Sequence, residues 1–369
     1  MKKQRIVLAS VLKPVDDTRM FEKIGKSLAK KPDYKLSIFG YPSNKQHFDS
    51  NIELIPHPHF ARISLKRMLI PLILLKKIYK VKPHVLIVNT HELLIVATTI
   101  RILFGTKLIY DVQENYWRNI LWTTTFPPLL RHLLAGWVRG KEIIFSGAFQ
   151  LFFLAEKGFE KEMTFFKNRY LTLENKSALP EGLKHIKSAS RLNLLFSGTI
   201  SGSTGIFQAI NLANQLHQID EFVRLTIIGY CAMPATWKRI IRMIKDKPFI
   251  TLIGGDQLVP HEAIISQIMC SDFGIIGYPT LPHTENKIPT KLYEYLSAQL
   301  PMLLQEHQPW ISICAPYQAA IPINLNLPVD APVLLKKMQE THFYTTSPSD
   351  VFWVSEEKKL LDSVDKILV

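Results

Sequence analysis

Short apolar runs alternate with helical patterns along the whole chain. Five runs in the first half predict buried strands: Ile6–Val11, Leu36–Gly40, Val85–Asn89, Lys107–Asp111 and Leu151–Leu154. Five more follow in the second half: Leu192–Gly198, Arg224–Gly229, Ile250–Gly254, Asp272–Gly277 and Pro301–Gln305. The helical patterns between them include a clear apolar stripe within His261–Met269. This alternation predicts an α/β protein built from parallel sheets.

The length of 369 residues predicts two domains, each large enough to bury its own core. A polar stretch from Asn175 to Arg191 separates two halves of the same βαβ style. We therefore expect one domain over 1–175 and a second over 190–350. The last segment, 351–369, has a helical pattern, and we expect it to pack back on the first domain.

The net charge of +14 is concentrated in the first half of the chain. Residues 1–180 hold 29 Lys and Arg against 14 Asp and Glu, whereas residues 181–369 hold 16 against 17. Such asymmetry predicts an anionic partner for the first half: a membrane, a nucleic acid or a polyanionic substrate. Nucleic acid is disfavoured, because no interleaved pattern of aromatic and basic residues and no known binding motif is present.

Two apolar and basic segments favour a membrane surface. Residues 62–82 carry seven cations and no acid around an apolar centre, Met68–Leu75, which is shorter than the ~20 residues that a spanning helix needs. A second segment, Phe126–Lys141, offers Trp137 as an interfacial anchor. We expect peripheral contact with an anionic membrane. The alternative is that the apolar residues face the core and the cations are simply solvated.

The N-terminus and the cysteines predict a cytoplasmic location. The first apolar run ends at Leu12, too early for the h-region of a signal peptide. Three isolated cysteines, Cys231, Cys270 and Cys314, show neither metal spacing nor a disulfide framework. No set of His, Cys and Asp residues has convincing metal spacing either. We expect no metal and no cofactor.

The most informative stretch is residues 284–301, TENKIPTKLYEYLSAQLP, a polar loop that leads into a short helix after a buried strand. Pro289 suits the first helical position, and Lys291 and Glu294 share one helix face. A cation and a carboxylate near a helix N-terminus suit a ligand that has phosphates and a ribose. The alternative is an ordinary amphipathic helix with a Lys–Glu pair on the surface.

A second motif, Gly198–Gly205 with the sequence GTISGSTG, follows a strand and opens a helix. Its three glycines allow close backbone approach to a diphosphate, to which the helix N-terminus adds positive potential. The alternative is a glycine-rich turn without a ligand.

These two motifs resemble those of retaining family 4 glycosyltransferases, which have the GT-B fold. In the helix motif Asn286, Pro289, Lys291, Glu294, Tyr295 and Pro301 match. Gln299 stands where the family prefers Gly, and Leu300 stands where it has any residue. Thr204 stands where the family has a phosphate-binding Lys, and Gln113 replaces a His that follows the fourth strand. The resemblance implies an α/β GT-B fold, two Rossmann-like domains whose parallel sheets face a central cleft.

The resemblance also implies roles for individual residues. Donor contacts are expected from Gly198, Thr199, Ser201, Gly205, Gly229, Tyr230, Val259, Pro260, Asn286, Lys287, Pro289, Lys291 and Glu294. Asp111, Glu114 and Lys291 are expected to be catalytic. Asp17, Arg19, His91 and Gln113 are expected on the acceptor side. For Asp17 the alternative role is a helix cap, and for His91 it is an ordinary polar residue at a strand end.

We interpret the chain as a cytoplasmic glycosyltransferase at the inner face of the cell membrane. It would move a sugar from a nucleotide diphosphate sugar to an acceptor hydroxyl, on a lipid-linked glycan of surface polysaccharide synthesis, with retention of configuration. One alternative is a degenerate GT-B subunit that binds a glycan, a membrane or a catalytic partner without turnover. Another is a nucleotide-sugar 2-epimerase, which would form product without an acceptor.

Overall fold

The structure is a computed structural model that describes residues 3–43, 51–58, 60, 64, 66–122, 126–182, 191–279 and 287–368. The chain divides into two compact units. The first comprises residues 1–178 together with 353–369, and the second comprises residues 179–352. The expected domain boundary lay in the stretch 175–191.

The first unit is built around a parallel sheet of seven strands. They are β1 (Gln4–Pro14), β2 (Tyr34–Tyr41), β3 (Ile52–Pro56), β4 (Val85–Val88), β5 (Lys107–Val112), β6 (Leu151–Leu154) and β7 (Tyr170–Thr172). Their order in the sheet is β3-β2-β1-β4-β5-β6-β7. The helices are α1 (Lys26–Ala29), α2 (Lys66–Val81), α3 (Leu94–Phe104), α4 (Tyr116–Trp122), α5 (Pro128–Ser146) and α6 (Phe159–Glu162). A π-helical segment, Thr18–Gly25, runs directly into α1.

The second unit has a parallel sheet of six strands. They are β8 (Leu192–Thr199), β9 (Val223–Tyr230), β10 (Ile250–Gly255), β11 (Phe273–Ile276), β12 (Met302–Gln305) and β13 (Ala320–Ile323), in the order β10-β9-β8-β11-β12-β13. The helices are α7 (Ile206–Ile219), α8 (Pro234–Ile244), α9 (His261–Met269), α10 (Thr290–Ser297), α11 (Gln308–Cys314) and α12 (Ala331–Glu340). The prediction of an α/β fold with two parallel sheets is confirmed.

The core of each unit lies on both faces of its sheet. In β1, Val7 and Ala9 belong to one hydrophobic cluster, and Ile6 and Leu8 belong to the other. Successive side chains of a strand point to opposite faces, so a strand that is buried on both sides reads as a continuous apolar run. This is why the central strands could be predicted from the sequence.

Three strands were missed, and all three lie at sheet edges: β3, β7 and β13. Each contains partly exposed or exposed residues, as in the sequence IELIP of β3. β3 and β7 are short and contain polar residues, and β13, with the sequence AIPI, contains a proline, a residue that weakens a strand prediction.

The chain ends in α13 (Val354–Leu368), which belongs to the first unit. Trp353, Leu360 and Val364 enter the hydrophobic cluster on one face of the first sheet. Lys176 Nζ lies 2.9 Å from the fully buried Glu356 carboxylate, and Lys359 contacts that carboxylate at 3.0 Å. These contacts attach the last helix to the first unit.

Candidate active site

The predicted donor residues that the structure describes in the second unit lie at the carboxyl ends of its strands. The strand order places β9 and β10 on one side of β8, and β11 to β13 on the other. The order in which strands are added to the sheet therefore reverses between β8 and β11. Ligands of open α/β sheets bind in the crevice at such a point. The loop after β8, residues 277–279 after β11 and the start of α10 all lie there.

Two close backbone contacts at this edge require glycine. Gly198 and Gly229 are register partners in β8 and β9, and a Cβ on Gly229 would lie 1.7 Å from Gly198 O. Gly205 has a φ of +87°, and a Cβ there would lie 1.9 Å from Gly277 O. A side chain at Gly205 would thus clash with the chain after β11, as well as strain the left-handed backbone. The glycines bring β8, β9 and β11 together at the carboxyl edge.

Thr204 is used inside the loop that follows β8. Its Oγ1 donates to Thr199 O at 2.8 Å and accepts from Ser201 N at 3.0 Å, and the residue is buried. Ser201 and Thr204 form a capping box for the short helical turn Gly202–Thr204. Thr204 therefore organises the loop.

Lys291, in the first turn of α10, is a buried cation at this edge of the sheet. It is only 6% exposed, and its Nζ makes no hydrogen bond to any residue that the structure describes. The ammonium lies over the rings of Phe196, at 4.2 Å, and Tyr278, at 5.3 Å. Its Cε is 3.9 Å from the position of a Cβ on Gly198. Burial lowers the pKa of Lys291 to about 7, although Glu294 acts in the opposite direction.

Glu294 lies one turn further along α10 and is 8% exposed. Its Oε1 is 3.0 Å from His261 Nε2 at the start of α9. The alternative of a Lys–Glu pair on the helix surface is wrong, because every residue from Lys291 to Ser297 is buried. Opposite charges at this spacing usually pair on an exposed helix. Here the ammonium faces aromatic rings and the carboxylate contacts an imidazole.

The remaining donor candidates frame the same edge of the sheet. Tyr230 follows Gly229 and is partly exposed, and Val259 and Pro260 form the turn before α9. Pro289 is the residue before α10, one position earlier than predicted, because its ψ of 134° is extended. Lys287 O accepts from Trp310 Nε1 at 2.6 Å. Asn286 lies outside the described residues.

In the first unit the structure brings Arg19, Asp111 and Gln113 together. Arg19 Nη2 lies 2.7 Å from Asp111 Oδ1, and Arg19 Nε contacts both carboxylate oxygens at 3.1 Å. Gln113 Nε2 donates to Asp111 Oδ2 at 2.7 Å, and Arg19 Nη1 donates to Leu173 O at 2.9 Å. Arg19 and Asp111 are 3% and 2% exposed. The Asp111 carboxylate therefore accepts from several N–H groups in the interior of the unit.

Asp17, His91 and Glu114 do not join this cluster. Asp17 caps the π-helical segment by accepting from the backbone N–H groups of Arg19 and Met20. His91 Nδ1 lies 3.0 Å from Lys141 Nζ, and burial lowers the pKa of His91 to about 4. Glu114 accepts from Asn119 Nδ2 at 2.9 Å.

Sequence reasoning missed three features of this site: the aromatic rings around Lys291, the contact of Gly205 with Gly277, and the partner of Glu294. Phe196 reads as one more apolar residue of β8, and nothing in its local pattern sets it apart. The turn that contains His261 was predicted to lie near the donor, but the contact of His261 with Glu294 joins residues 33 positions apart and was not foreseen. Within the described part of the chain, no three His, Cys, Asp or Glu side chains form a group that could hold a metal ion.

No protein-family model matches the chain, and no curated protein matches it in sequence. Solved structures do match it over nearly its full length. Sucrose-phosphate synthase from Thermosynechococcus elongatus aligns with a TM-score of 0.73 and 11% identity over 99% of both chains. Anabaena HepE in complex with UDP and glucose aligns with a TM-score of 0.64 and 12% identity over 97% of this chain and 99% of HepE. The chain has the GT-B fold.

A third GT-B relative in structure is the UDP-forming α,α-trehalose-phosphate synthase from Burkholderia vietnamiensis. Its TM-score is 0.61 at 9% identity, over 99% of this chain and 98% of that one. The fold prediction is thus confirmed. At these identities the likeness shows the GT-B fold alone, and the assignment to family 4 stays a prediction.

Proposed function

We propose that this GT-B protein is a glycosyltransferase that uses a nucleotide diphosphate sugar. The observation that carries the proposal is Lys291, a buried ammonium without a hydrogen-bond partner among the described residues, beside Gly198 at the carboxyl edge of the second sheet. Burying an uncompensated charge is costly, so a fold retains one where a ligand completes it. A diphosphate is such a ligand, and the loop Gly198–Gly205 offers it close backbone approach.

The other donor groups have matching chemistry. The Glu294 carboxylate is suited to accept the ribose hydroxyls, and Asn286 is assigned to the sugar or a phosphate. Solved structures of HepE contain UDP and UDP-glucose, and MnaA of Staphylococcus aureus has been solved with UDP. These neighbours support a nucleotide diphosphate sugar as the donor of this protein as well.

In the proposed reaction the bond between the anomeric carbon and the diphosphate oxygen breaks, the acceptor oxygen bonds to that carbon, and the proton of the acceptor hydroxyl passes to a base. Negative charge then builds up on the departing nucleotide diphosphate. Lys291 and backbone N–H groups at the carboxyl edge would stabilise that charge, which would be the main catalytic contribution. Retention of configuration, and a role for Glu114 in handling the acceptor hydroxyl, follow from the resemblance to family 4. The resemblance gives Asp111 the same role, but its carboxylate is already engaged by Arg19 and Gln113.

A binding screen tests the donor proposal. Thermal shift and calorimetry against UDP, GDP, CMP and their sugars, with EDTA present, should show saturable binding to one nucleotide. Glu294→Ala should abolish that binding and leave the melting temperature within a few degrees of the wild type. If no nucleotide or nucleotide sugar binds, the alternative of a non-catalytic subunit would be favoured. Product formed from a nucleotide sugar without any acceptor would instead indicate the epimerase.

We further propose that the acceptor is lipid-linked and that the first unit contacts an anionic membrane at its cytoplasmic side. The support is an exposed apolar face on α2, α3 and α5, where α3 contacts both other helices. We call it the apolar face, and its large exposed residues are Met68, Leu69, Leu72, Tyr79, Ile95, Ile102, Leu103, Leu129, Leu130, Leu133, Trp137, Ile143 and Ile144. Apolar patches of this extent mark protein or membrane contacts. Sequence reasoning identified α2 and α5 but missed the contribution of α3.

The charges of the apolar face favour lipid over protein. The three helices carry nine Lys and Arg and one acid, Glu142. Glu142 is buried, accepts from Tyr110 OH and lies 3.0 Å from Arg139. The outer surface is therefore apolar and basic, which complements anionic lipid headgroups. No helix in the described part of the chain is long and apolar enough to span a bilayer.

Vesicle binding tests the membrane proposal. Lys66, Lys76 and Lys80 are exposed, whereas Arg67 donates to Glu92 and Lys77 to Pro56 O. Replacing the three exposed lysines by Gln should weaken binding to phosphatidylglycerol vesicles roughly a hundredfold, at about 1 kcal/mol per cation. The same change at Lys238, Lys336 and Lys337 of the second unit is the matched control.

The apolar contribution needs its own variant. Leu133→Ser with Trp137→Ser should weaken binding to neutral phosphatidylcholine vesicles as well, because it removes apolar contact rather than charge. Exposed Ile219→Ser with Phe222→Ser, in the second unit, is the control. Unchanged vesicle binding in both the lysine and the apolar variants would contradict the membrane proposal.

A further inference from the structure

We propose that His261 is a positioning residue for the ribose of the donor. Its imidazole holds the Glu294 carboxylate in the orientation in which that carboxylate accepts the ribose hydroxyls. This proposal rests on the proposed function, because it requires a nucleotide donor at α10. It adds a residue that the resemblance to family 4 does not supply.

The first support is the geometry of the contact. His261 is the first residue of α9, Glu294 lies in the second turn of α10, and Nε2 and Oε1 are 3.0 Å apart. The side chain of Glu294 is 11% exposed and that of His261 is 22% exposed. The imidazole therefore reaches a mostly buried carboxylate from the more open side.

The second support is the position of Lys291. On an exposed helix a Lys three residues before a Glu would be its natural partner. Here Lys291 Nζ makes no hydrogen bond to a described residue and lies over Phe196 and Tyr278 instead. A buried carboxylate needs donors from other elements, and α9 supplies one. The result is a carboxylate whose orientation is set by His261, while the ammonium stays available for phosphate.

The third support is the demand of the ligand. A ribose presents two neighbouring hydroxyls, and a carboxylate can accept from both only when its plane is correctly oriented. Holding a binding group within a narrow range of orientations reduces the entropy lost on binding. His261 acts on Glu294, so its effect should depend on whether the ribose hydroxyls are present.

Calorimetry with two probes tests this dependence. The first probe is UDP or GDP, whichever the donor screen retains, and the second is its 2′,3′-dideoxy analogue. We expect His261→Ala to weaken the ribonucleotide about tenfold. His261→Gln should stay within about threefold of the wild type, since its amide can still donate. The dideoxy analogue should bind equally to the wild type and to His261→Ala. Ser266→Ala, on the same helix, is the matched control and should match the wild type with both probes.

Each contrary result has a distinct meaning. An equal loss for both probes would show that His261 acts by another route and would overturn the proposal. So would unchanged ribonucleotide binding in His261→Ala, or failure of His261→Gln to restore it in a variant with a normal melting temperature. If the wild type binds no nucleotide, the proposed function fails and this proposal falls with it. If Glu294→Ala abolishes nucleotide binding but His261→Ala leaves it intact, only the role of His261 is overturned.

Discussion

The two units treat buried charge in opposite ways at the carboxyl edges of their sheets. In the first unit Arg19 and Asp111 are fully engaged with each other, with Gln113 and with Leu173 O. In the second unit Lys291 is buried without a hydrogen-bond partner among the described residues. Arg19 and Asp111 thus compensate each other's charge inside the first unit. The contrast supports the proposal that Lys291 binds the donor.

The difference follows from the energetics of burial. A buried ion pair with its hydrogen bonds satisfied is roughly neutral in stability, whereas removal of one partner leaves an uncompensated charge. Contact with aromatic rings offsets part of the desolvation cost of a buried ammonium, but contact with an anion would offset more of it. The second unit is therefore expected to gain stability when Lys291 is lost, and the first unit to lose stability when Asp111 is lost.

The largest expected effect is on the stability of the first unit, where Arg19 and Asp111 are paired. Asp111→Asn should lower the free energy of unfolding by about 3–5 kcal/mol, because Arg19 is left buried without its counter-charge. Urea unfolding measures this. The double variant Arg19→Met with Asp111→Leu should be less destabilised than either single variant. If Asp111→Asn were as stable as the wild type and impaired only turnover, Asp111 would be a catalytic residue rather than a structural partner.

The next effect is on the stability of the second unit, through Lys291. Lys291→Met should raise the free energy of unfolding by roughly 1–3 kcal/mol near pH 6, since it removes a desolvated charge. The same variant should weaken nucleotide sugar binding at least about thirtyfold. A variant that is less stable than the wild type would show that Lys291 is satisfied in the free protein, and the contrast between the units would disappear.

The stability gain should depend on pH. The pKa of Lys291 is about 7 in the folded chain, lowered by burial from 10.5. Between these values the unfolded chain holds a proton that the folded chain lacks, so wild-type stability rises with pH across this window. The advantage of Lys291→Met should therefore be fully present below pH 7 and shrink as pH rises toward 10.5. Urea unfolding of the wild type and of Lys291→Met at pH 6 and pH 9 measures this change.

The smallest expected effect is on donor affinity as a function of pH. A bound diphosphate favours the charged ammonium, so binding above pH 7 should take up as much as one proton. The dissociation constant of the nucleotide sugar should then rise by up to about tenfold per pH unit above pH 7. Calorimetry in buffers of different ionisation enthalpy counts the protons. The Lys291→Met variant should show no uptake, and His261→Gln should keep it.

Part of the candidate site was predictable from local pattern. The loop Gly198–Gly205 and the segment with Lys291 and Glu294 each follow a buried strand, and strand ends in a parallel sheet meet at one edge. Their meeting could therefore be expected without coordinates. Two contacts could not: Arg19 with Asp111, 92 residues apart, and His261 with Glu294, 33 residues apart. Such pairs depend on strand order and on the spacing between helices, which local periodicity does not encode.

The sequence by itself determined the class of the fold, because strands buried on both faces read as apolar runs and helices as stripes. It also determined which residue types lie at the carboxyl edges, since the motifs follow those strands directly. Only the tertiary structure decided how each charge is used. Burial and the choice of partner depend on elements far apart in the chain, so Asp111 is satisfied by Arg19, while Lys291 is enclosed by aromatic rings.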